Sequence, residues 1–417
     1  MRNLRQWRRT EIDVGTSILN ETITGRHKLF IALSFSSFFM LAFPMTVQGS
    51  IAPVTMEYYG INATQQGLIM TMQSLGSIFT GIFLGLKGEK YNKTNIVALG
   101  VLVICIIATL IMGAPTYIAL LLLITVMGVG TALLDVMTNS VFTDVYPKQK
   151  NTLLPFVHAF FSTGATVVPI IVAKIVNPLI PESFTNPFKI LSVFGAVLFV
   201  LYLISSRRIV KDTPYTDMEA MKKRVTENPA EIFKTKKAWF FLIVGILYFT
   251  FQVGILIWMP TFAIQNKGAD FETGSMLLTA FFGGSLVMRF MGPLFLRRFT
   301  LRQFYAYFGL ASAILMVAAL FVNSIPLMIV LVAVSGFLQG SIVATLVLML
   351  AEAFPERTAS AASVYALSAN IGFLSGPLWM GALSEYTGFL LPMVLICAAF
   401  LISASLIFFM GVKRRSQ

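Results

Sequence analysis

Long apolar runs, separated by short polar segments, recur along the whole chain. Each run has about 20 mostly apolar residues, the length of an α-helix that crosses the hydrocarbon core of a bilayer. The runs are continuously apolar and too long for the alternating strands of a membrane β-barrel. The pattern predicts twelve transmembrane helices, at residues 28–54, 64–86, 95–113, 117–142, 152–174, 187–206, 238–260, 272–295, 303–322, 326–349, 358–382 and 388–411.

Composition agrees with a membrane protein and explains the positive charge. Of the 417 residues, 57% are hydrophobic and 12% are charged, whereas soluble domains carry about 25% charged residues. The net charge of +13 is compatible with a nucleic-acid partner, but the basic residues concentrate in alternate loops and at both termini. The loops on the other side hold only Lys174, Lys189 and Lys267. The positive-inside rule therefore predicts a multi-pass protein of the cell membrane with both termini in the cytoplasm, and no nucleic-acid partner.

The chain aligns with itself at a shift of 208 residues. "TDVYPKQKNTLLPFVHAFFSTGATVVP" lies over "AEAFPERTASAASVYALSANIGFLSGP", and Gly76 and Gly128 pair with Gly284 and Gly336 without gaps. We predict a cytoplasmic tail (1–27), a six-helix bundle (28–206), a cytoplasmic linker (207–237) and a second six-helix bundle (238–412). Two parallel six-helix repeats resemble the plan of secondary transporters of the major facilitator superfamily. The predicted fold class is an all-α membrane protein with the major facilitator fold.

One carboxylate lies deep in the fourth predicted span. In "GVGTALLDVMTNSVFTDVYP", Asp135 precedes Asp144 by nine residues, which places it about 13 Å inside the membrane from the cytoplasmic end. Asn139 is four residues further on and shares its helix face. A lone charge at this depth is costly, so it indicates function by default. We predict that Asp135 carries a proton; a carboxyl group that only holds helices together is the alternative.

The fifth span contains a second titratable residue, His158, at a depth similar to that of Asp135. Proton coupling and simple packing are both compatible with this histidine, and contact with Asp135 stays open. The only other histidine is His27, at the edge of the first span, so no metal site is expected. No nucleophile with a base and an orienting group, and no phosphate-binding loop, is found in the sequence. We therefore expect neither a cofactor nor an enzyme.

Neutral polar residues in the predicted spans form the candidate substrate site. Amide side chains could bind a polyhydroxy ligand, or they could hydrogen-bond one helix to another. The candidates on this ground are Gln48, Gln73, Gln252 and Asn370, with Asn139 beside Asp135.

The loop after the second span resembles a conserved loop of the major facilitator superfamily. "GLKGEKYNK" follows the form G-x-x-x-D-R-x-G-R, with Gly85, Glu89, Lys90 and Lys93 at matching positions and Asn92 in place of a glycine. The resemblance implies a cytoplasmic charge latch that stabilises the outward-facing state. A basic loop that only sets topology is the alternative.

Two further segments resemble the fucose/galactose:proton symporter family and bacterial glucose/mannose transporters. "LYFTFQVGILIWMPTFA" is similar to their seventh helix, Y-x-G-x-E-x-G-x-x-x-W-x-P-T-Y, with Gln252 in place of the acid and Trp258 matching. "GTALLDVMTN" is similar to their fourth-helix segment G-x-x-x-x-E-x-x-x-N, with Asp135 and Asn139 at the acid and amide positions. The resemblance implies that Asp135 carries the proton and that Trp258 and amides bind a sugar.

The expected function is proton-coupled transport of a small neutral solute, a sugar or sugar derivative, by alternating access. The expected partners are this small molecule, the proton and the lipid bilayer, and the family plan implies a monomer. Export of drugs or other amphipathic compounds is the alternative. The 37 Phe and 21 Met residues suit a promiscuous binding surface, although contact with lipid explains the same counts.

Overall fold

The computed structural model describes residues 25–88, 91–144, 146, 150–209, 229–355 and 358–412, and all regular structure in these ranges is helical. Short 3-10 turns precede two of the helices, at Pro181–Thr185 and Pro229–Lys234. The α-helices are α1 (Gly25–Tyr59), α2 (Ala63–Lys87), α3 (Lys93–Ile111), α4 (Tyr117–Asp144), α5 (Lys150–Ile175), α6 (Asn186–Ile209), α7 (Lys236–Lys267), α8 (Phe271–Leu296), α9 (Leu301–Phe321), α10 (Ile325–Gln339), α11 (Ile342–Ala353), α12 (Thr358–Thr387) and α13 (Leu390–Val412).

These helices supply the twelve predicted spans. Eleven spans in the described ranges are long and apolar enough to cross a membrane, with α10 and α11 together forming one of them. The remaining span is α12, whose 30 residues are long enough to cross a bilayer but include many Ser, Ala and Gly residues. The all-α fold with twelve transmembrane helices is confirmed.

The tenth predicted span, 326–349, is not one continuous helix. It breaks at Gly340 and Ser341, and Ser341 has φ −105° and ψ 7°, outside the helical region. The break lies against α8, because a Cβ on Gly340 would be 2.4 Å from the carbonyl oxygen of Ser285. The hydroxyl of Ser341 donates to the carbonyl of Met288 at 3.2 Å. The break in the helix thus coincides with a close contact with α8.

The buried apolar side chains form two clusters, one largely within α1–α6 and one largely within α7–α13. Each half therefore has largely its own core. The boundaries of the tail and the linker stay predictions, because residues 1–24 and 210–228 lie outside the described ranges.

The two halves contact each other closely at one end of the bundle, which we call the outer end. It carries the α1–α2 and α7–α8 turns, and it is the non-cytoplasmic end in the predicted topology. There, Glu385 of α12 accepts hydrogen bonds from the backbone N–H and the hydroxyl of Thr64, at 2.8 and 2.5 Å. Lys174 of α5 pairs with Glu272 of α8 at 2.5 Å. We call the opposite end, with the predicted cytoplasmic loops, the inner end.

Candidate functional site

Four polar side chains from four helices lie at nearly the same depth from the inner end. Asp135 is nine residues before the end of α4, and His158 is eight residues after the start of α5. Arg289 is seven residues before the end of α8, and Tyr365 is seven residues after the start of α12. At 1.5 Å per residue, all four lie about 10 to 13 Å from the inner ends of their helices. Both halves contribute to this set of four side chains, which we call the polar layer.

Asp135 is partly buried, and its side chain is hydrogen-bonded to a residue of its own helix. The side-chain amide of Asn139 donates to Asp135 Oδ1 at 2.8 Å and to the Asp135 carbonyl oxygen at 2.9 Å. This i to i+4 contact is what the helical spacing predicts. Neither a hydrogen bond nor an ion pair joins Asp135 to His158 within the described part of the chain. The carboxyl group can therefore change its protonation without breaking a contact between helices.

The side chain of His158 is exposed, whereas its backbone carbonyl contacts the other half. Its ring meets the ring of Phe38 edge-on at 5.6 Å. Its carbonyl oxygen accepts a hydrogen bond from Arg289 Nη1 at 3.2 Å and another from the hydroxyl of Ser162 at 3.1 Å. The backbone of His158 thus contacts α8 at the point where α5 and α8 meet. The sequence did not predict this contact.

Arg289 is a site residue that the sequence analysis missed. It lies inside the predicted eighth span, in "SLVMRFMG", where a lone arginine among apolar residues is itself a signal of function. Its Nη1 atom donates to the carbonyl oxygen of His158, whereas its Nε atom is buried and has no hydrogen-bond partner in the described structure. No carboxylate of the described residues lies within salt-bridge distance of the guanidinium group. Its positive charge is therefore not neutralised by direct contact.

Two tyrosines of the second half lie near Arg289. Tyr248 of α7 and Tyr365 of α12 both lie within electrostatic reach of the guanidinium group, and Tyr365 lies within reach of Asp135 as well. The hydroxyl of Tyr248 donates to Gln339 Oε1 at 2.7 Å, at the end of α10. Tyr365 thus lies within electrostatic reach of both the acid of the first half and the base of the second half.

The predicted amides lie in two different settings. Gln48 and Gln73 are buried and bonded to each other, with the Gln48 amide donating to Gln73 Oε1. This contact joins α1 to α2 and fits the helix-joining interpretation. Gln252 and Asn370 are partly exposed on α7 and α12 of the second half. Their substrate-binding role stays a prediction.

Trp258 is the largest fully buried side chain of the second half. Its indole N–H donates to the carbonyl of Pro377 at 3.3 Å, and its ring lies 5.1 Å from that of Phe389. In this conformation Trp258 packs α7 against α12 and against the turn between α12 and α13. The sugar-binding role that the resemblance implies for it stays untested.

The predicted charge latch falls partly outside the described structure, because Glu89 and Lys90 are not among its residues. Gly85 is exposed on the last turns of α2, and Lys93 is buried at the start of α3. Asn92, in place of the glycine of the family loop, caps α3 by accepting from the backbone N–H groups of Thr94 and Asn95. No cluster of three or more potential metal ligands occurs among the described residues.

Comparison with known proteins gives the family. The model of the Major Facilitator Superfamily matches residues 34–322 and 265–417. A probable 4-methylmuconolactone transporter of Cupriavidus pinatubonensis is 24% identical, over 87% of this chain and 85% of the relative. A cis,cis-muconate transport protein of Acinetobacter baylyi is 23% identical, over 91% of this chain and 93% of the relative. The crystal structure of a D-xylose-proton symporter aligns with a TM-score of 0.71 and 12% identity, over 91% of this chain and 96% of that one.

Proposed function

The chain belongs to the Major Facilitator Superfamily, and from this premise we propose that it carries a small organic solute across the membrane together with protons. It is a membrane transporter and not an enzyme. The proposal rests on Asp135. It is a carboxyl group inside the spanning bundle, and within the described structure its side chain is hydrogen-bonded only to Asn139. Such a group binds a proton when it is shielded and releases it when water reaches it.

The proton cycle follows from the cost of a charge in the membrane. With Asp135 protonated, its half of the bundle carries a neutral carboxyl group, which can pass through the shielded intermediate state. Exposure to the low-proton side then lets the proton leave. Asn139 offers an N–H donor to Oδ1 in either protonation state, so the side chain keeps its orientation through the cycle.

Alternating access requires the two ends to open in turn. In this structure the outer end is closed by the Thr64–Glu385 and Lys174–Glu272 contacts. The polar layer lies nearer the inner end than these contacts do. Rocking of the halves about the polar layer would break both outer contacts and expose the same site to the other side.

The similar proteins point to small organic solutes of two kinds. By their names, one relative is a probable transporter of 4-methylmuconolactone and the other transports cis,cis-muconate, and the structural neighbour is a D-xylose-proton symporter. A neutral sugar or sugar derivative, as the sequence predicts, is one candidate substrate for this chain, and a small organic acid is the other. The distribution of basic residues supports a place in the cell membrane with both termini in the cytoplasm.

The test is proton movement in reconstituted liposomes that hold a pH-sensitive dye. Sugars, muconate, 4-methylmuconolactone and common amphipathic compounds are added one at a time, and the signal of protein-free liposomes is subtracted. We expect a solute-dependent change of lumenal pH with the wild type. Asp135→Asn should abolish it, and Asp270→Asn, which removes an acid outside the spans, should leave it intact. Equal proton movement with Asp135→Asn contradicts the proposal.

A further inference from the structure

We propose that Arg289 forms a carboxylate-binding subsite in the polar layer, so that the transported solute is an organic anion rather than a neutral sugar. This inference rests on the proposed transport function, and it names the substrate class of the same site. It depends on the placement of Arg289, the contacts of its guanidinium group and the groups around it.

The placement of Arg289 requires a negative partner. An arginine inside a spanning helix is costly unless it is paired, and it marks a substrate or ion pathway by default. No carboxylate in the described ranges pairs with Arg289, and its one described hydrogen bond goes to a neutral group, the backbone carbonyl of His158. A ligand is therefore the natural source of the missing negative charge.

The guanidinium group keeps donors available for such a ligand. It has five N–H donors in a planar fork, and Nη1 uses one of them in the bond to His158. Nε is buried and has no partner in the described structure, which is unfavourable unless a ligand or water satisfies it. The Nε and Nη edge of a guanidinium group matches the two oxygens of one carboxylate.

The surroundings suit a single negative charge. Tyr248 and Tyr365 lie within electrostatic reach of Arg289, and their hydroxyl groups are hydrogen-bonding groups without a formal charge. No second arginine or lysine lies in the polar layer of the described residues, so there is no site for the two charges of a phosphate ester. One guanidinium group with two nearby tyrosines favours a carboxylate.

Arg289 also explains how a proton and an anion travel together. Tyr365 lies within electrostatic reach of both Arg289 and Asp135, and all three residues belong to the polar layer. When Asp135 is ionised, its negative charge opposes the entry of an anion. When it is protonated, the charge of Arg289 attracts the anion, and the loaded site is close to neutral. A neutral sugar would leave Arg289 uncompensated in the protonated state.

The test measures binding by the unfolding midpoint of the full-length protein in detergent. The probes are matched acids and amides, namely benzoate and benzamide, hexanoate and hexanamide, and adipate and adipamide, with D-glucose and phenyl phosphate as further ligands. The variants are Arg289→Gln, Arg289→Lys and, as the matched control, Arg297→Gln, which directly follows the same helix and has an exposed side chain near the inner end. Folding of each variant is read from its own midpoint without ligand.

We expect at least one acid to raise the midpoint of the wild type and its amide to leave it unchanged. Arg289→Gln should raise the half-saturating concentration of that acid about 10- to 100-fold, as expected for loss of a charged hydrogen bond. Arg289→Lys keeps the charge but not the fork, so its loss should be smaller. Arg297→Gln should bind like the wild type.

Three outcomes overturn the subsite: no acid of the panel stabilises the wild type, Arg289→Gln binds acids unchanged, or D-glucose or phenyl phosphate binds where the carboxylates do not. Asp135→Asn separates this proposal from the transport function. We expect it to bind the acid and to move no protons. If the wild type binds acids but moves no protons, proton coupling fails and the carboxylate subsite stands.

Discussion

The two halves of the molecule share a scaffold but differ in chemistry. A Cβ on Gly76 would be 2.0 Å from the carbonyl oxygen of Thr125, and one on Gly284 would be 2.1 Å from that of Ala333. Both the glycines and the carbonyls they approach are 208 residues apart. The crossing of α2 with α4 therefore recurs as the crossing of α8 with α10, and the repeat in the sequence is a repeat of backbone contacts.

The polar layer has no such symmetry. The shift of 208 residues places Val343 opposite Asp135 and Gly81 opposite Arg289. Each half thus contributes one charged side chain where the other half has a small or apolar residue. The close-packed positions thus preserve the repeat, whereas the proposed transport site lies where the halves differ, with an acid in one and a base in the other.

The largest expected effect comes from the shared glycines. Gly76→Ala and Gly284→Ala should each lower stability by about 3 kcal/mol or more, because the new methyl group meets backbone atoms that cannot move aside. Similar losses in the two halves would show that the crossings are equivalent. The measurement is the thermal unfolding midpoint of the purified protein together with the yield of monodisperse material.

The control for this prediction is Gly81→Ala in the same helix as Gly76. A Cβ at Gly81 meets no atom within 4 Å, and alanine favours a helix over glycine by up to about 1 kcal/mol. We therefore expect no loss of stability. If Gly81→Ala is as damaging as Gly76→Ala, helix crossing is not the reason for the loss.

The sequence predicts the scaffold far better than the site. The length of each apolar run predicts a span, because every helix that crosses the bilayer needs about the same apolar length. The repeat of glycines predicts that the two halves share their helix crossings. The i to i+4 spacing of Asp135 and Asn139 places their contact within one helix. Arg289 has a signal in the sequence, as a lone base in an apolar run, but its contact with His158 of the other half depends on how α5 packs against α8. The pairing of Gln48 with Gln73 could not be predicted, because it depends on how α1 packs against α2.

A smaller effect is expected at the outer end, where the two contacts between the halves are equivalent by position. Thr64 and Glu272 are 208 residues apart, and each meets the end of a helix of the other half. Lys174→Met removes an exposed ion pair worth about 0.2 to 1 kcal/mol, so the outer-open population should rise less than about fivefold. Spin labels at the exposed positions Leu179 and Tyr386, after replacement of Cys105 and Cys397, report the distance between the halves.

The two outer contacts should respond differently to salt. High ionic strength screens the Lys174–Glu272 pair, so Lys174→Met and the wild type should become alike. Glu385 accepts from a backbone N–H at the start of α2, a contact that depends less on long-range charge. Glu385→Gln should therefore open the outer end slightly at low and at high salt. An equal salt dependence for both variants would remove the distinction between the two contacts.

The smallest effect concerns the residues that cap the second helix of each half, which are also 208 residues apart. Asn62 accepts from the backbone N–H of Gln65 at 2.9 Å, and Asp270 accepts from that of Thr273 at 2.8 Å. Hydrogen bonds from the Thr273 side chain and backbone hold the pKa of Asp270 below its usual value of 3.8. Asp270 therefore adds stability above about pH 4, and this is lost as the pH falls through its lowered pKa.

Asp270→Asn makes the two caps chemically alike, since Asn and Asp cap helices about equally well. We expect the same unfolding midpoint for the variant and the wild type at neutral pH. Below about pH 4 the wild type should lose slightly more stability than the variant, because only Asp270 becomes protonated there. All other acids titrate in both proteins, so the difference between their two pH curves isolates this residue. A difference that appears at neutral pH and stays constant in acid would show that the two caps differ in geometry and not in charge.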